Sequence, residues 1–483
     1  MDEKIAFASA RTLASMVREK KICAVELLDF FLARADRLNP RINAIIRRRV
    51  EEARKEAAAC DAMTAKGESK GPLHGVPMTV KESFDVAGTP STWGLVAQRD
   101  NVAKQDALAV ERLKAAGAVV FGKTNVPVWL ADWQSFNPIY GTTNNPWNVE
   151  RTPGGSSGGS AAALAAGLTG LELGSDIGAS IRNPAHYCGV YGHKPTFDVC
   201  SRDGHLLPGA YAHGDLSVIG PLARSAYDLE TALDIIAGPN ALDATGLRLA
   251  LPRSDKTKLS EFRVAVMSDA DTAPVDAAVR NQIDALADWL EKQGAQVDRK
   301  ARPVDPAEAH ETYVMLLRSQ TSAAPDDAAF AKLMAARDSV KDRDDYFAWH
   351  VRANTMSHRE WLGWNNRRAR MMQDWARFFT GFDLLLCPTA ATTAFPHMQT
   401  GERWERMIKV DGKDQPTTTQ LFWAGLSNMV LLPSTIAPLG LAPDGLPVGV
   451  QIVAPAYRDH SAIRFAQLLE DQYRAFTPPP GFA

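Results

Sequence analysis

Residues 154–160 read Gly-Gly-Ser-Ser-Gly-Gly-Ser, and the chain then passes without a break into Ala-Ala-Ala-Leu-Ala-Ala-Gly. Three readings compete for this stretch. A flexible linker would stay polar on both sides, whereas this run opens directly into a helix former. A phosphate cradle needs Gly-x-x-x-x-Gly-Lys-Ser/Thr, or Gly-x-Gly-x-x-Gly after a strand. No lysine lies between 124 and 193, and the preceding "NNPWNVERTP" is not strand-like. The serine-hydrolase elbow Gly-x-Ser-x-Gly fits twice, once around Ser156 and once around Ser157. An elbow, however, turns sharply out of a strand and needs a downstream acid and histidine. Nothing apolar precedes this one. None of His310, His350, His358, His397 and His460 sits in a recognisable local context.

The rest of the chain bounds the answer. With 483 residues, 45% hydrophobic and 23% charged, it has ordinary globular composition and can bury a large core. A net charge of −2 argues against nucleic acid or an acidic membrane surface as partner. Five cysteines without a Cys-x-x-Cys pair point to free thiols in a reducing compartment. The acidic start "MDEKIAFASA" lacks an apolar signal core, and no apolar run is long enough to span a bilayer. A cytoplasmic protein is therefore expected. No His-Glu-x-x-His or Cys/His cluster suggests a metal, and no cofactor is expected.

Periodicity predicts alternating helices and strands, hence an α/β class. The first 70 residues read as helical, with Pro40 stopping the run that carries Leu28, Leu32 and Ala35. "GVPMTVKES" reads as a strand ending at Lys81, "DALAVERLKAAG" as a helix and "AVVFGKTN" as a strand. Residues 126–150 form an aromatic loop with Trp129, Trp133, Phe136, Tyr140 and Trp147. Val279, Ile283, Leu286 and Leu290 mark one face of a later amphipathic helix. "FRVAVMSD", "FDLLLCPT" and "GLPVGVQIVAP" read as strands. No repeat or linker divides the chain. One domain over 1–483 is expected, with core motifs at 70–230 and a variable flank at 243–345.

The segment "GGSSGGSAAALAAGLTGLELGSDIGASIRNPAHYCGVYGHKPT" (154–196) resembles the amidase signature family. "GPLHGVPMTVKESFDVAG", "GKTNVP", "YGTTNNPWN" and the two C-terminal strands extend the likeness along nearly the whole chain. The resemblance implies a single large α/β/α domain with a mixed sheet flanked by helices. It also implies a Ser–cis-Ser–Lys triad on Ser180, Ser156 and Lys81, with a cis peptide between Gly155 and Ser156. The Gly/Ser stretch would then hold the relay serine, and the attacking serine would lie 24 residues on. Gly155, Ser157, Asp176 and Arg182 would hold the two loops together, although Arg182 also reads as an ordinary surface charge.

In that scheme a neutral Lys81 is the base, its pKa pulled below the free value of about 10.4 by burial. It draws a proton from Ser156, and Ser156 from Ser180. The backbone N–H groups of Ile177, Gly178, Ala179 and Ser180 would hold the oxyanion, each donor being worth about 3–4 kcal/mol. Three positions depart from the family pattern. Ala179 stands where a second glycine is usual, Ser175 replaces threonine, and Val128 replaces a common glutamate. The implied reaction is hydrolysis of a small amide, with ester or carbamate cleavage also open. Trp129, Leu130, Asp132 and Trp133 are the expected substrate pocket, favouring aryl or apolar acyl groups. The expected assembly is a monomer or homodimer. The alternative role is the glutaminase subunit of a tRNA-dependent amidotransferase, whose Arg- and Gly-rich segment is missing from 330–375.

Overall fold

The computed structural model describes residues 3–207, 209–324 and 326–482. Its strands in chain order are β1 (Ile45–Arg48), β2 (Pro77–Lys81), β3 (Val119–Thr124), β4 (Phe136–Asn137), β5 (Gly141–Thr142), β6 (Glu172–Asp176), β7 (Tyr191–Lys194) and β8 (Val218–Ala223). They continue with β9 (Arg263–Val266), β10 (Gln296–Asp298), β11 (Leu384–Pro388), β12 (Met407–Val410), β13 (Lys413–Pro416), β14 (Ser434–Leu441) and β15 (Pro447–Val453). Eleven of them form one mixed sheet in the order β1-β3-β2-β6-β8-β7-β14-β15-β11-β9-β10. β2 runs parallel to both β3 and β6, and β9 runs parallel to β10 and β11. The remaining neighbours are antiparallel.

The expected strands ending at Lys81, at 119–124, 263–266, 384–388 and 447–453 are all present. "GVPMTVKES" reads as alternating, yet every residue of β2 is buried, as is every residue of β3, β6, β8, β11 and β15. A sheet covered by helices on both faces leaves no side for polar residues to alternate onto. The Ala277–Lys292 helix buries Val279, Ile283, Leu286 and Leu290 as its spacing requires.

Pro40 does not stop its helix, which runs Ala24–Ile42. Near a C-terminus proline forfeits only one intrahelical bond, so the end is set elsewhere. Asn43 sets it, at φ +50 with its N–H on Asn39 O and its side-chain amide on the carbonyls of Tyr140 and Thr142. The 243–345 flank supplies the edge strand β10, its neighbour β9 and the helix Pro306–Gln320. Among the described residues no helix is long and apolar enough to cross a membrane.

Candidate active site

Strands β2 and β6 lie side by side, with Thr79 opposite Glu172 and Val80 opposite Leu173. Because they are parallel, their carboxyl ends bring Lys81 and the Ser175–Asp176 pair to one edge, where open α/β sheets hold ligands. Lys81 is fully buried. Its Nζ lies 2.6 Å from Ser156 Oγ, 3.0 Å from Ser157 Oγ and 2.9 Å from Ser175 Oγ. An ammonium would donate to all three. A neutral amine offers two N–H groups and a lone pair, so the same three contacts are met with one hydroxyl donating to nitrogen. Burial lowers the Lys81 pKa to about 7, the negative charge of Asp176 opposing it.

The Gly155–Ser156 peptide is cis. Asn183 clamps it, donating from Nδ2 to Gly155 O at 2.5 Å and accepting from Gly155 N at 3.0 Å. A Cβ on Gly155 would lie 2.4 Å from the carbonyl oxygens of Asp132 and Gln134, so the backbones pack too closely for any side chain. Ser180 is 5% exposed. Its carbonyl accepts from Ser157 N at 3.1 Å, and its Oγ has no hydrogen bond among the described residues. The Lys81–Ser156 link is thus formed, and a Ser156–Ser180 link is not.

A trans peptide points its C=O and N–H in opposite directions, so anchoring one aims the other. The Tyr313 hydroxyl donates to Ile177 O at 2.8 Å, which aims the N–H of Gly178. Asn183 Nδ2 donates to Ala179 O at 2.9 Å, which aims the N–H of Ser180. Trp133 Nε1 donates to Gly178 O at 2.7 Å, and the N–H on that peptide, Ala179's, turns to Asp176 Oδ1 at 2.9 Å. Of the four N–H groups expected to hold an oxyanion, that of Ala179 is therefore already committed. The N–H groups of Ile177, Gly178 and Ser180 have no partner among the described residues, while Ala179, at φ +70, spends its own on the loop.

Arg182 is no surface charge. It is fully buried and fork-bonds Asp176 at 2.9 and 3.0 Å. It also donates to Ala424 O, Ser427 Oγ, Asn428 Oδ1 and Gln451 Oε1. Burial alone would raise the Asp176 pKa. The charge and hydrogen bonds of Arg182, with the charge of Lys194, outweigh it and hold the carboxyl at about 2.

Of the expected pocket residues, Trp133 reaches the 177–180 loop. Asp132 is ion-paired with Arg406 at 2.6 Å. Trp129 and Leu130 take positive φ, and Trp129 is 36% exposed. Trp147 packs with Tyr187 and Phe395 in a separate apolar cluster. No histidine bonds either serine among the described residues. His397 reaches Val149 O and His460 the Glu230–Asp234 pair, so the elbow reading of Ser156 has no base. Sequence reasoning missed Asn183 and Tyr313, and noted Ser175 only as a substitution.

Comparison with known proteins gives the family. The amidase family model matches residues 26–463. The indoleacetamide hydrolase of Bradyrhizobium diazoefficiens is 33% identical, over 96% of this chain and 86% of its own. The acylamidase of Rhodococcus erythropolis is 32% identical, over 97% and 96%. The crystal structure of a glutamyl-tRNA(Gln) amidotransferase subunit from Thermotoga maritima superimposes with a TM-score of 0.80 at 25% identity, covering 99% of each chain. The chain belongs to the amidase signature family and is a hydrolase of carbon–nitrogen bonds in non-peptide amides.

Proposed function

We propose that the enzyme cleaves a small amide through an acyl-enzyme on Ser180, with Lys81 as the base and Ser156 as the relay. The observation that carries this reading is the buried Lys81 Nζ, 2.6 Å from Ser156 Oγ, with a pKa lowered to about 7, so that a large share of it is uncharged at neutrality. Ser156 gives its proton to Nζ and takes one from Ser180 Oγ, whose oxygen attacks the amide carbon. A rotation of the Ser180 side chain, whose Oγ is unbonded among the described residues, brings it to Ser156. The oxyanion is held by the N–H groups of Ile177, Gly178 and Ser180. As the intermediate collapses, the C–N bond breaks and the amine leaves with the proton stored on Lys81, returned through Ser156. Water, deprotonated by the same relay, then attacks the ester carbonyl and frees the acid and Ser180. Asp176 and Arg182 fix the loop, Ser157 shares Nζ, and Gly155 lets the backbones close.

Trp133 beside the oxyanion loop, together with the likeness to an indoleacetamide hydrolase, supports an aryl or apolar acyl group on the substrate. Esters and carbamates with the same acyl group are further substrates on this mechanism. All five cysteines are free thiols, which supports a cytoplasmic setting. Labelling with a sulfonyl fluoride followed by peptide mapping tests the assignment. The adduct is expected on Ser180 and absent from Ser180→Ala; an adduct on Ser156 contradicts it. The likeness to an amidotransferase subunit favours one second reading, a glutaminase acting within a complex. Glutamine hydrolysis that appears only with partner proteins, and no cleavage of simple amides alone, would select it.

A further inference from the structure

Arg318, near the end of the Pro306–Gln320 helix, is 6% exposed and has no ion pair or side-chain hydrogen bond among the described residues. Its Nε is buried without a partner, and its guanidinium lies over the Tyr346 ring at 5.6 Å. Buried guanidinium groups are normally paired, since an uncompensated charge in the interior is costly. A second guanidinium lies within electrostatic reach of it. Arg403 is half-buried, also has no ion pair among the described residues, and is pulled below its usual range by burial first and then by the charge of Arg318. The two like charges repel, and neither has an ion-pair partner among the described residues.

The neighbouring carboxylates are committed elsewhere. Asp132 pairs with Arg406 at 2.6 Å, Asp345 pairs with Arg343 at 2.7 Å, and Glu402 is exposed. His350, whose ring lies 5.0 Å from Trp404, is pushed down to about 3 by burial and by Arg318 and Arg403. It is therefore uncharged and supplies no counter-charge. The Tyr346 hydroxyl is a second buried group without a partner. A cleft of about 380 Å³ opens beside it, lined by Tyr346, Phe347, Trp404 and Thr418 and by the ion-paired Arg343 and Asp345.

Neighbours of the cluster reach the reaction centre. Tyr313, on the same helix as Arg318, holds the oxyanion loop, and the carbonyl of Asp132, whose charge acts on Arg403, packs against Gly155. A rise of 1.5 Å per residue puts Arg318 about 7.5 Å along the helix from Tyr313.

We infer that Arg318 and Arg403, with the Tyr346 hydroxyl, form a carboxylate subsite, so that the preferred substrate is an amide carrying an acidic group several bonds from the scissile carbonyl. This rests on the amidase reading above and names the substrate class for that site. A guanidinium fork matches the two oxygens of a carboxylate, and one bound anion relieves the repulsion between the two cations. The acid belongs either to the acyl part or to the leaving amine, and matched substrates separate the two. The test compares kcat/KM for hexananilide, the monoanilide of adipic acid, and 4-(hexanoylamino)benzoate, in wild type, Arg318→Met, Arg403→Met and Arg318→Lys.

One of the two acids is expected to exceed hexananilide at least tenfold, mainly through KM. That ratio should fall toward one in both methionine variants and recover in part with Arg318→Lys. Which acid gains tells which side of the amide carries the charge. Hydrolysis of hexananilide with no gain from either acid overturns the inference, as does a gain that survives both methionine variants. Calorimetric titration of adipate into the Ser180→Ala protein reads the subsite without turnover. Binding that weakens with salt and vanishes in Ser180→Ala/Arg318→Met supports it, and absence of binding overturns it. Adipate binding with no hydrolysis of any anilide and no labelling of Ser180 would sink the amidase reading and leave the subsite standing.

Discussion

At the scale of single residues, the site depends on how two buried charges are treated differently. Lys81 has no carboxylate in hydrogen-bond reach, so burial wins and its pKa falls to about 7. Asp176 is equally buried, but the Arg182 fork compensates it and the carboxyl stays ionised. Losing one partner of such a pair strands the other in the interior, at about 3–5 kcal/mol. Arg182→Met is expected to lose that much stability in chemical denaturation, and a loss below about 1 kcal/mol would show that the pair does not brace the loop. Lys81, Ser156, Ser180, Asp176 and Arg182 were legible because they stand in long motifs in fixed order. The direction of the Ala179 N–H was not. It follows from a positive φ and from Trp133 on the carbonyl side, neither of which leaves a local pattern.

At the scale of elements, the Pro306–Gln320 helix belongs to a flank that reads as variable, yet it carries both the loop anchor Tyr313 and Arg318. Gly425 makes the room, since a Cβ there would lie 2.7 Å from the Tyr313 ring. No spacing rule connects 313 to 177, so only tertiary packing reveals the contact. Tyr313→Phe removes the bond that aims the Gly178 N–H. It is expected to lower kcat about tenfold with KM nearly constant, a fraction of the loss of a whole donor; an unchanged kcat would contradict the anchoring role. Beneath the site, Glu172 on β6 accepts from Thr79 Oγ1 on β2 and from Thr124 Oγ1 on β3. Burial pushes it up to about 8, against the hydrogen bonds of Thr79 and Ser160. A folded-state pKa above the unfolded value of 4.5 gives stability present at low pH and lost as pH rises from about 4.5 to about 8. Glu172→Gln lacks this dependence. Its stability relative to wild type is expected to rise between pH 5 and pH 8.5, and parallel pH curves would show that Glu172 ionises normally.

At the scale of the whole molecule, the sheet is what keeps Lys81 buried. The α/β class and several strands were visible in periodicity, but the full burial of β2 and the order of eleven strands were not, because they depend on pairings between distant segments. That order gives β2 a parallel neighbour on each side, and Lys81 at its end is fully buried. The charge state of this amine is the central claim, and the pH dependence of kcat/KM tests it most directly. For a small amide, with chemistry limiting, kcat/KM is expected to rise from acid through an inflection near pH 7 and then level off, as Lys81 loses its proton in the folded enzyme. A rate that is flat from pH 5 to pH 9, or that climbs only where a free lysine titrates near pH 10.4, would contradict it.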